Sequence, residues 1–253
     1  MFGLYIHIPY CRSKCRYCDF YSTPCPDGVP EAYIDALCRE MDRFSPCGST
    51  PLRPDTLYFG GGTPSLLRPA QLAQLIDAAQ PRAGAEITLE ANPETLTPAL
   101  LRGFFAAGAN RLSLGVQTAL DESLRRMGRP HTAAQARQAL LWAQEAGFTN
   151  LSGDVMLALP GYTQKELNAT LELLDSGGCT HISCYLLKLE PGTPWGKAPP
   201  AHLPGDDEAA DFYLACVQAL GARGFAQYEI SNFSKIGYKS RHNMKYWKCE
   251  EYL

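Results

Sequence analysis

Short apolar runs alternate with longer amphipathic segments along most of the chain. The apolar runs have the length of β-strands, whereas the segments between them repeat their hydrophobic residues with the period of an α-helix. We therefore predict six strands, near residues 4–8, 56–59, 86–90, 111–116, 152–157 and 181–187. Six helices are predicted between and after them, at residues 31–44, 69–80, 98–107, 132–146, 163–174 and 206–220.

Strands separated by amphipathic helices form βαβ units, and such units build a parallel sheet. The sequence lacks the glycine fingerprint of a dinucleotide-binding fold, so the six units predict an α/β fold of the partial (β/α)6 barrel type. Residues 191–205 are rich in proline and glycine, which predicts a loop. We expect a core at residues 1–190, followed at 191–253 by a linker and the beginning of a C-terminal region.

Composition narrows the class of protein. The chain has 253 residues, of which 45% are hydrophobic, which is enough for one barrel-sized core. Its net charge of -3 offers no basic surface, so no nucleic-acid partner is expected. We find neither a transmembrane stretch nor a charged leader, and we expect a cytoplasmic protein.

Three cysteines lie within eight residues, directly after the first predicted strand: Cys11, Cys15 and Cys18. Three thiolates this close together can hold three irons of a [4Fe–4S] cluster, which leaves the fourth iron open to a small molecule. A zinc site is an alternative, with Cys25 or His7 as fourth ligand, although the spacing fits neither paired knuckles nor a finger. A disulfide framework is a weaker alternative in a chain of this length. The remaining cysteines show no metal spacing and are expected to be reduced thiols; they are Cys25, Cys38, Cys47, Cys179, Cys184, Cys216 and Cys249.

Polar residues stand where several predicted strands end. A glycine-rich turn, Gly60-Gly61-Gly62-Thr63-Pro64, follows the second strand, while Glu90, Gln117 and Asp154 lie at or near the ends of three later strands. In parallel barrels the carboxyl ends of the strands carry the chemistry, so these side chains are candidates for one site. Each of them also has a purely structural interpretation, such as a tight turn or a carboxylate satisfied by loop amides.

The Cys-x3-Cys-x2-Cys loop after a first strand resembles the radical S-adenosylmethionine (SAM) superfamily, in which the open iron binds SAM. Four segments narrow the resemblance to the oxygen-independent coproporphyrinogen III oxidase-like family: residues 5–11, 59–65, 115–117 and 159–161. This resemblance implies that Cys11, Cys15 and Cys18 bind the cluster. It also implies a set of SAM contacts: Tyr5, Tyr17, Gly61, Gly62, Thr63, Glu90, Gln117, Arg129 and Asp154.

Two features distinguish the branches of that family. The true oxidases carry a further cysteine where this chain has Phe20, and they have an arm before the first strand, where this chain has only four residues ahead of Tyr5. Both departures resemble the heme chaperone (HemW) branch. Residues 242–247 match that branch's HNxxYW motif, which implies that His242 contacts heme iron. Taken without the resemblance, His242 is more simply a histidine packed at a domain junction.

The resemblance implies a [4Fe–4S] protein of porphyrin metabolism that binds SAM and heme and passes the heme to an acceptor protein. The alternative is an enzyme that oxidatively decarboxylates porphyrinogen propionates through a 5′-deoxyadenosyl radical. A methyltransferase is a remoter alternative. An electron donor, a homodimer and peripheral contact with a membrane are further expectations. Because the family normally continues into a sizeable C-terminal domain, we expect the chain to be a fragment or a truncated product.

Overall fold

The computed structural model of the chain describes residues 2–25, 27–44 and 52–253, so Cys47 lies outside the described residues. Its centre is an eight-stranded sheet. In their order across the sheet, its strands are β1 (Gly3–Ile8), β4 (Thr56–Gly61), β5 (Glu86–Ala91), β6 (Arg111–Gln117), β7 (Asn150–Leu157), β8 (His181–Leu186), β10 (Asn232–Ser234) and β9 (Ala226–Gln227). A separate small sheet pairs β2 (Tyr10–Cys11) with β3 (Thr23–Pro24).

In the described residues, the helices between the parallel strands are α1 (Glu31–Phe44), α2 (Pro69–Ala79), α3 (Pro98–Ala106), α4 (Asp121–Met127), α5 (Ala133–Glu145) and α6 (Gln164–Ser176). The helices that follow the last parallel strand are α7 (Pro194–Lys197), α8 (Asp206–Ala222) and α9 (Arg241–Trp247). Adjacent pairs from β1 to β8 are all parallel, which confirms the predicted α/β class with a partial barrel. All six predicted strands and all six predicted helices are present. The prediction missed α4, α7, α9 and the short strands β2, β3, β9 and β10.

The alternation of side chains along β6 shows how the fold separates core from cavity. Leu112, Leu114 and Val116 are fully buried in the hydrophobic core, whereas Ser113 and Gln117 line a cavity inside the barrel. Successive side chains of a strand point to opposite faces, so one face packs against the helices and the other stays polar. The strands of this barrel therefore carry chemistry on their inner face.

Threonine side chains cap the N-termini of three of the connecting helices. Thr97, Thr132 and Thr163 each accept a hydrogen bond from a backbone N–H in the first turn of α3, α5 and α6, respectively. Such caps satisfy amides that have no partner inside the helix and contribute about 1 kcal/mol each. They fix where the chain leaves each loop at the rim of the barrel.

The segment after residue 190 returns to the barrel. β10 pairs antiparallel with β8, and the backbone of residues 251–253 pairs with β1, where Tyr5 N donates to Leu253 O at 2.8 Å. Between these contacts, Lys245 of α9 is buried and bonds Asp55 and Glu250, each at 3.0 Å. None of the helices in the described ranges is both long and apolar enough to cross a membrane.

Candidate functional site

A cavity of about 580 Å³ lies inside the barrel at the carboxyl ends of the parallel strands. Nearly all of the residues predicted to form the site line this cavity: Cys11, Cys15, Tyr17, Cys18, Gly61, Gly62, Thr63, Glu90, Gln117, Arg129 and Asp154. We call it the first cavity. The structure thus brings together residues from the cysteine loop and from four strands, as the strand-end argument anticipated.

Two sulfur atoms of the cysteine loop accept hydrogen bonds from side chains of the barrel. Cys11 Sγ accepts a hydrogen bond from the Thr63 hydroxyl at 3.4 Å, and Cys15 Sγ accepts one from Arg129 Nη1 at 3.6 Å. Burial raises the pKa of the Cys18 thiol, and the nearby Cys15 and Cys11 raise it further. The three thiols therefore share one end of the first cavity, next to a fixed guanidinium.

No three His, Cys, Asp or Glu side chains in the described part of the chain converge as ligands of a single metal ion. A [4Fe–4S] cluster needs a different arrangement, because each thiolate binds a separate iron.

The glycine-rich turn packs against the end of β1. Gly61 has φ +113°, and a Cβ there would lie 2.5 Å from the His7 ring; a Cβ on Gly62 would lie 2.7 Å from Tyr10 O. The resemblance predicts that these glycines contact SAM, and the structure adds a packing role: they let the turn lie against the strand and the residue that precede Cys11. The turn and the cysteine loop are consequently held in one position relative to each other.

Arg129 is buried at the centre of the first cavity's wall. Its Nη2 donates to Asn92 Oδ1 at 2.8 Å and to Gly115 O at 2.5 Å, while Nε has no protein partner. Gly115 makes room for this contact, because a Cβ there would lie 2.7 Å from Arg129 Nη2. The prediction did not include Asn92 and Gly115 among the site residues. For Gly115 the signal was available, since it lies two residues before Gln117 and so shares the inner face of β6.

Glu90 and Asp154 place two carboxyl groups on the cavity wall. Glu90 accepts hydrogen bonds from the Tyr58 hydroxyl at 2.7 Å and from Gly61 N at 3.3 Å, and Asp154 accepts one from the Ser113 hydroxyl at 3.3 Å. Burial raises the pKa of Glu90 to about 7, and it raises the pKa of Asp154 as well. Perturbed carboxyl groups in a cavity are typical of functional sites.

Gln117 has a left-handed backbone, with φ +68°, directly after a register shift between β6 and β7. A non-glycine residue in this conformation costs about 1 kcal/mol or more and persists where the surrounding structure holds it. The strain turns the end of β6 so that the buried Gln117 side chain lines the first cavity.

The raised pKa of Glu90 predicts a pH-dependent cost in stability. In the unfolded chain this carboxyl ionises near pH 4.5, whereas in the fold it ionises near pH 7, so folding loses stability as the pH rises through this window. At pH 8 we expect the free energy of unfolding of Glu90→Gln to exceed that of wild type by about 1–3 kcal/mol. At pH 4 we expect the two proteins to have the same free energy of unfolding. Urea titrations of iron-free protein at both pH values measure this. Glu145→Gln, on the exposed face of α5, is the control; an equal gain at pH 4 and pH 8 contradicts the assignment.

A second cavity, of about 410 Å³, lies between the barrel and α9. Its wall is mostly aromatic and polar: Tyr5, Tyr58, Tyr185, Glu229, Ser231, Asn232, His242, Asn243, Tyr246 and Trp247. Tyr185 lines both cavities, so the two are neighbours.

The structure places Tyr5 in this second cavity rather than in the first. Its hydroxyl lies 3.1 Å from His7 Nδ1, and its ring stacks on Tyr58. In the strand register Tyr5 is level with Tyr58 and Thr88, one layer below Glu90. This placement gives no support to the predicted SAM contact of Tyr5.

His242 is buried, and both of its ring nitrogens have partners. Nδ1 lies 2.8 Å from the Thr56 hydroxyl, and Nε2 lies 2.8 Å from the Tyr246 hydroxyl. Burial, together with the positive charges of Lys245 and Arg111, lowers the pKa of His242 to about 4. The imidazole is therefore neutral near pH 7. These contacts match the structural interpretation of a packed histidine, and they also leave a neutral ring at the wall of a cavity.

Comparisons with known proteins agree with this arrangement. The model of the radical SAM superfamily matches residues 5–174. Among curated proteins, the chain is 38% identical to "Heme chaperone HemW" of Escherichia coli over 99% of its own length and 67% of the relative's. It is also 38% identical to "Heme chaperone HemW" of Bacillus subtilis, over 100% of the chain and 69% of that relative. The chain thus spans about two thirds of the length of these relatives.

Among solved structures, the coproporphyrinogen III oxidase HemN of Escherichia coli superimposes with a TM-score of 0.82 at 25% identity, covering 97% of this chain and 58% of that one. The family model covers more than half of the chain, and the identity to the curated relatives extends over almost all of it. The chain therefore belongs to the radical SAM superfamily and, within it, to the HemW family.

Proposed function

We propose that this chain is a heme chaperone that holds a [4Fe–4S] cluster and SAM in the first cavity, binds heme at the second, and passes it to an acceptor protein. One observation carries the proposal. The cysteine loop and the strand-end polar residues meet in one cavity, while a neutral histidine faces an adjoining aromatic cavity. The names of the relatives support heme as the cargo.

The residues of the first cavity fit a three-thiolate cluster with SAM. Cys11, Cys15 and Cys18 supply the sulfur donors, and Arg129 places a positive charge 3.6 Å from Cys15 Sγ, where thiolate charge would be stabilised. The unpartnered Nε of Arg129 leaves a buried donor for a ligand group. A cluster bound there would supply low-potential electrons. The protein's part is to hold both groups between Glu90, Gln117 and Asp154 and to exclude bulk water.

The second cavity fits a planar cargo with a metal centre. Tyr58 and Tyr246 pack against the His242 ring, with centroid distances of 5.1 and 5.2 Å, and Trp247 adds an exposed aromatic face. A neutral imidazole is a common heme ligand. For Nε2 to bind iron, the exposed Tyr246 must first move away, whereas Thr56 is fully buried and continues to hold Nδ1. Tyr246 therefore competes with the iron for the same nitrogen.

Several partners follow from this function as parts of the same proposal. Transfer needs an acceptor protein for the heme, and a cluster in use needs an electron donor. We also propose a homodimer and peripheral contact with a membrane, where a heme acceptor of the respiratory chain would lie.

Hemin titration tests the heme site. We expect His242→Ala to weaken hemin binding about tenfold or more and to change the absorption spectrum of the bound heme, because an axial ligand is lost. We expect Tyr246→Phe to bind hemin a few-fold more tightly than wild type, because it removes the hydroxyl that competes for Nε2. Absorption titrations of both variants beside wild type measure this.

The exposed His202 provides the matched control, since His202→Ala removes an imidazole that lines neither cavity. If His242→Ala keeps the wild-type spectrum and affinity, His242 is not the heme ligand. Conversion of coproporphyrinogen III to protoporphyrinogen by anaerobic protein with SAM and reductant would replace the chaperone function with the oxidase function.

A further inference from the structure

Three side chains lie between the two cavities: the hydrogen-bonded pair Tyr58 and Glu90, and Tyr185. Tyr58 lines the second cavity and Glu90 lines the first, and the Tyr58 hydroxyl donates to Glu90 Oε1 at 2.7 Å. Tyr185 lines both cavities. A ligand in either cavity therefore lies against side chains that belong to the boundary of the other.

Tyr58 lines the second cavity, and it reaches the first only through Glu90, to which its hydroxyl donates. Its ring stacks between Tyr5 and His242, at centroid distances of 6.0 and 5.1 Å. Its hydroxyl reaches Glu90, whose other carboxylate oxygen accepts from Gly61 N at 3.3 Å in the glycine-rich turn. A continuous path of direct contacts thus runs from His242 through Tyr58 and Glu90 to the turn beside the cysteine loop.

We propose that Tyr58 is a positioning residue that couples the occupancy of the two cavities, so that heme at the second cavity strengthens SAM binding at the first. The inference rests on the proposed function for the identity of the two ligands. A planar ligand packed on the aromatic wall of the second cavity restricts the Tyr58 ring to one orientation. That orientation holds the Glu90 carboxylate toward the first cavity. SAM then binds to side chains that are already ordered, so its binding costs less conformational entropy.

Coupling of this kind is reciprocal. If hemin tightens SAM binding by some factor, SAM must tighten hemin binding by the same factor. Typical couplings between two sites are about 5-fold or larger, which is well within the precision of equilibrium binding measurements.

The pH dependence of SAM binding gives a second readout. The charged groups that face Glu90 are Asp154 and Arg111. Four tyrosine hydroxyls also interact electrostatically with its carboxyl group, those of Tyr58, Tyr5, Tyr185 and Tyr246. Of these, only Tyr58 and Gly61 N hydrogen-bond the carboxylate, and both favour its charged form. Loss of the Tyr58 hydroxyl should therefore move the pH midpoint of SAM binding upward, because SAM is cationic and prefers a charged carboxylate.

The test uses the full chain, reconstituted with iron and sulfide without oxygen and kept with its cluster oxidised. SAM affinity is measured by equilibrium dialysis with and without saturating hemin. We expect the SAM Kd of wild type to fall about 5-fold or more when hemin is present, and that of Tyr58→Phe to change less than about 2-fold. We also expect the pH midpoint of SAM binding to rise in Tyr58→Phe.

Tyr33→Phe is the matched control, because it removes a half-buried tyrosine hydroxyl that bonds His7 O and lines neither cavity. It should keep the wild-type coupling. The inference is overturned if hemin leaves the SAM Kd of wild type unchanged, or if Tyr58→Phe retains the wild-type ratio. The His242→Ala titration tests the heme site separately, so a failure there is distinguishable from a failure of the coupling.

Discussion

Replacing Cys15 with serine is expected to reduce the iron and sulfide of reconstituted protein from about four of each per chain to less than about one. Cys15 is the buried member of the three, and its sulfur faces the Arg129 guanidinium at the wall of the first cavity. A hydroxyl in that position is a poor iron ligand, and two remaining thiolates hold a cluster weakly. Colorimetric iron and sulfide assays on anaerobically reconstituted protein measure the loss.

Cys25→Ser is the matched control for this variant. Cys25 lies near the same loop, but its Sγ donates to Gly28 O at 3.0 Å and it does not line the first cavity. It should retain the full iron and sulfide content. Equal losses in the two variants would make Cys25 a ligand as well, and full retention in Cys15→Ser would remove Cys15 from the cluster.

Replacing Arg129 with methionine is expected to weaken SAM binding to the reconstituted protein by roughly 30-fold or more. Methionine fills a similar volume but removes the buried positive charge and the bonds to Asn92 and Gly115 O. Loss of one partner from a buried, charged hydrogen-bond network typically costs about 2–5 kcal/mol, which corresponds to this loss of affinity. Equilibrium dialysis with labelled SAM measures it.

Arg126→Met controls for the loss of a positive charge. Arg126 lies three residues earlier on α4, is exposed, and pairs with Glu122. Its replacement should leave SAM affinity within about twofold of wild type, because an exposed pair contributes little. Should Arg129→Met bind SAM as tightly as wild type, Arg129 has only a structural role.

The sequence allowed the barrel and most of the first cavity to be predicted, and the reason lies in the strands. Each of the six parallel strands is long enough for its apolar pattern to be read, and parallel strands bring their carboxyl ends to one rim. Glu90, Gln117 and Asp154 are far apart in sequence but lie in the carboxyl-terminal halves of three neighbouring strands, so their meeting follows from the topology.

The missed elements are those with too little local pattern. Strands β9 and β10 have two and three residues; β10 forms because β8 offers an edge, and β9 then pairs with β10, which is a tertiary effect. Helix α4 has seven residues and no capping side chain at Leu120. The placement of Tyr5 depends on the register of β1 against β4, since a shift of two residues along a strand changes the layer of the barrel that a side chain occupies.

The second cavity could be predicted only in part. Residues 242–247 pointed to His242, but nothing in their order indicates that Thr56 and Tyr246 occupy both ring nitrogens or that Tyr58 joins this wall to Glu90. Thr56 and His242 are 186 positions apart, and Tyr58 and Glu90 are 32 apart, so only the folded chain brings each pair together.

The central claim is that three thiolates hold the cluster and leave one iron free for SAM. EPR spectroscopy of the reduced, reconstituted wild-type protein tests it most directly. We expect about four irons and four sulfides per chain, and the cluster signal should change in shape when SAM is added, because SAM binds the open iron. A cluster signal that SAM leaves unaltered, or a preparation that contains zinc in place of iron, would contradict the account.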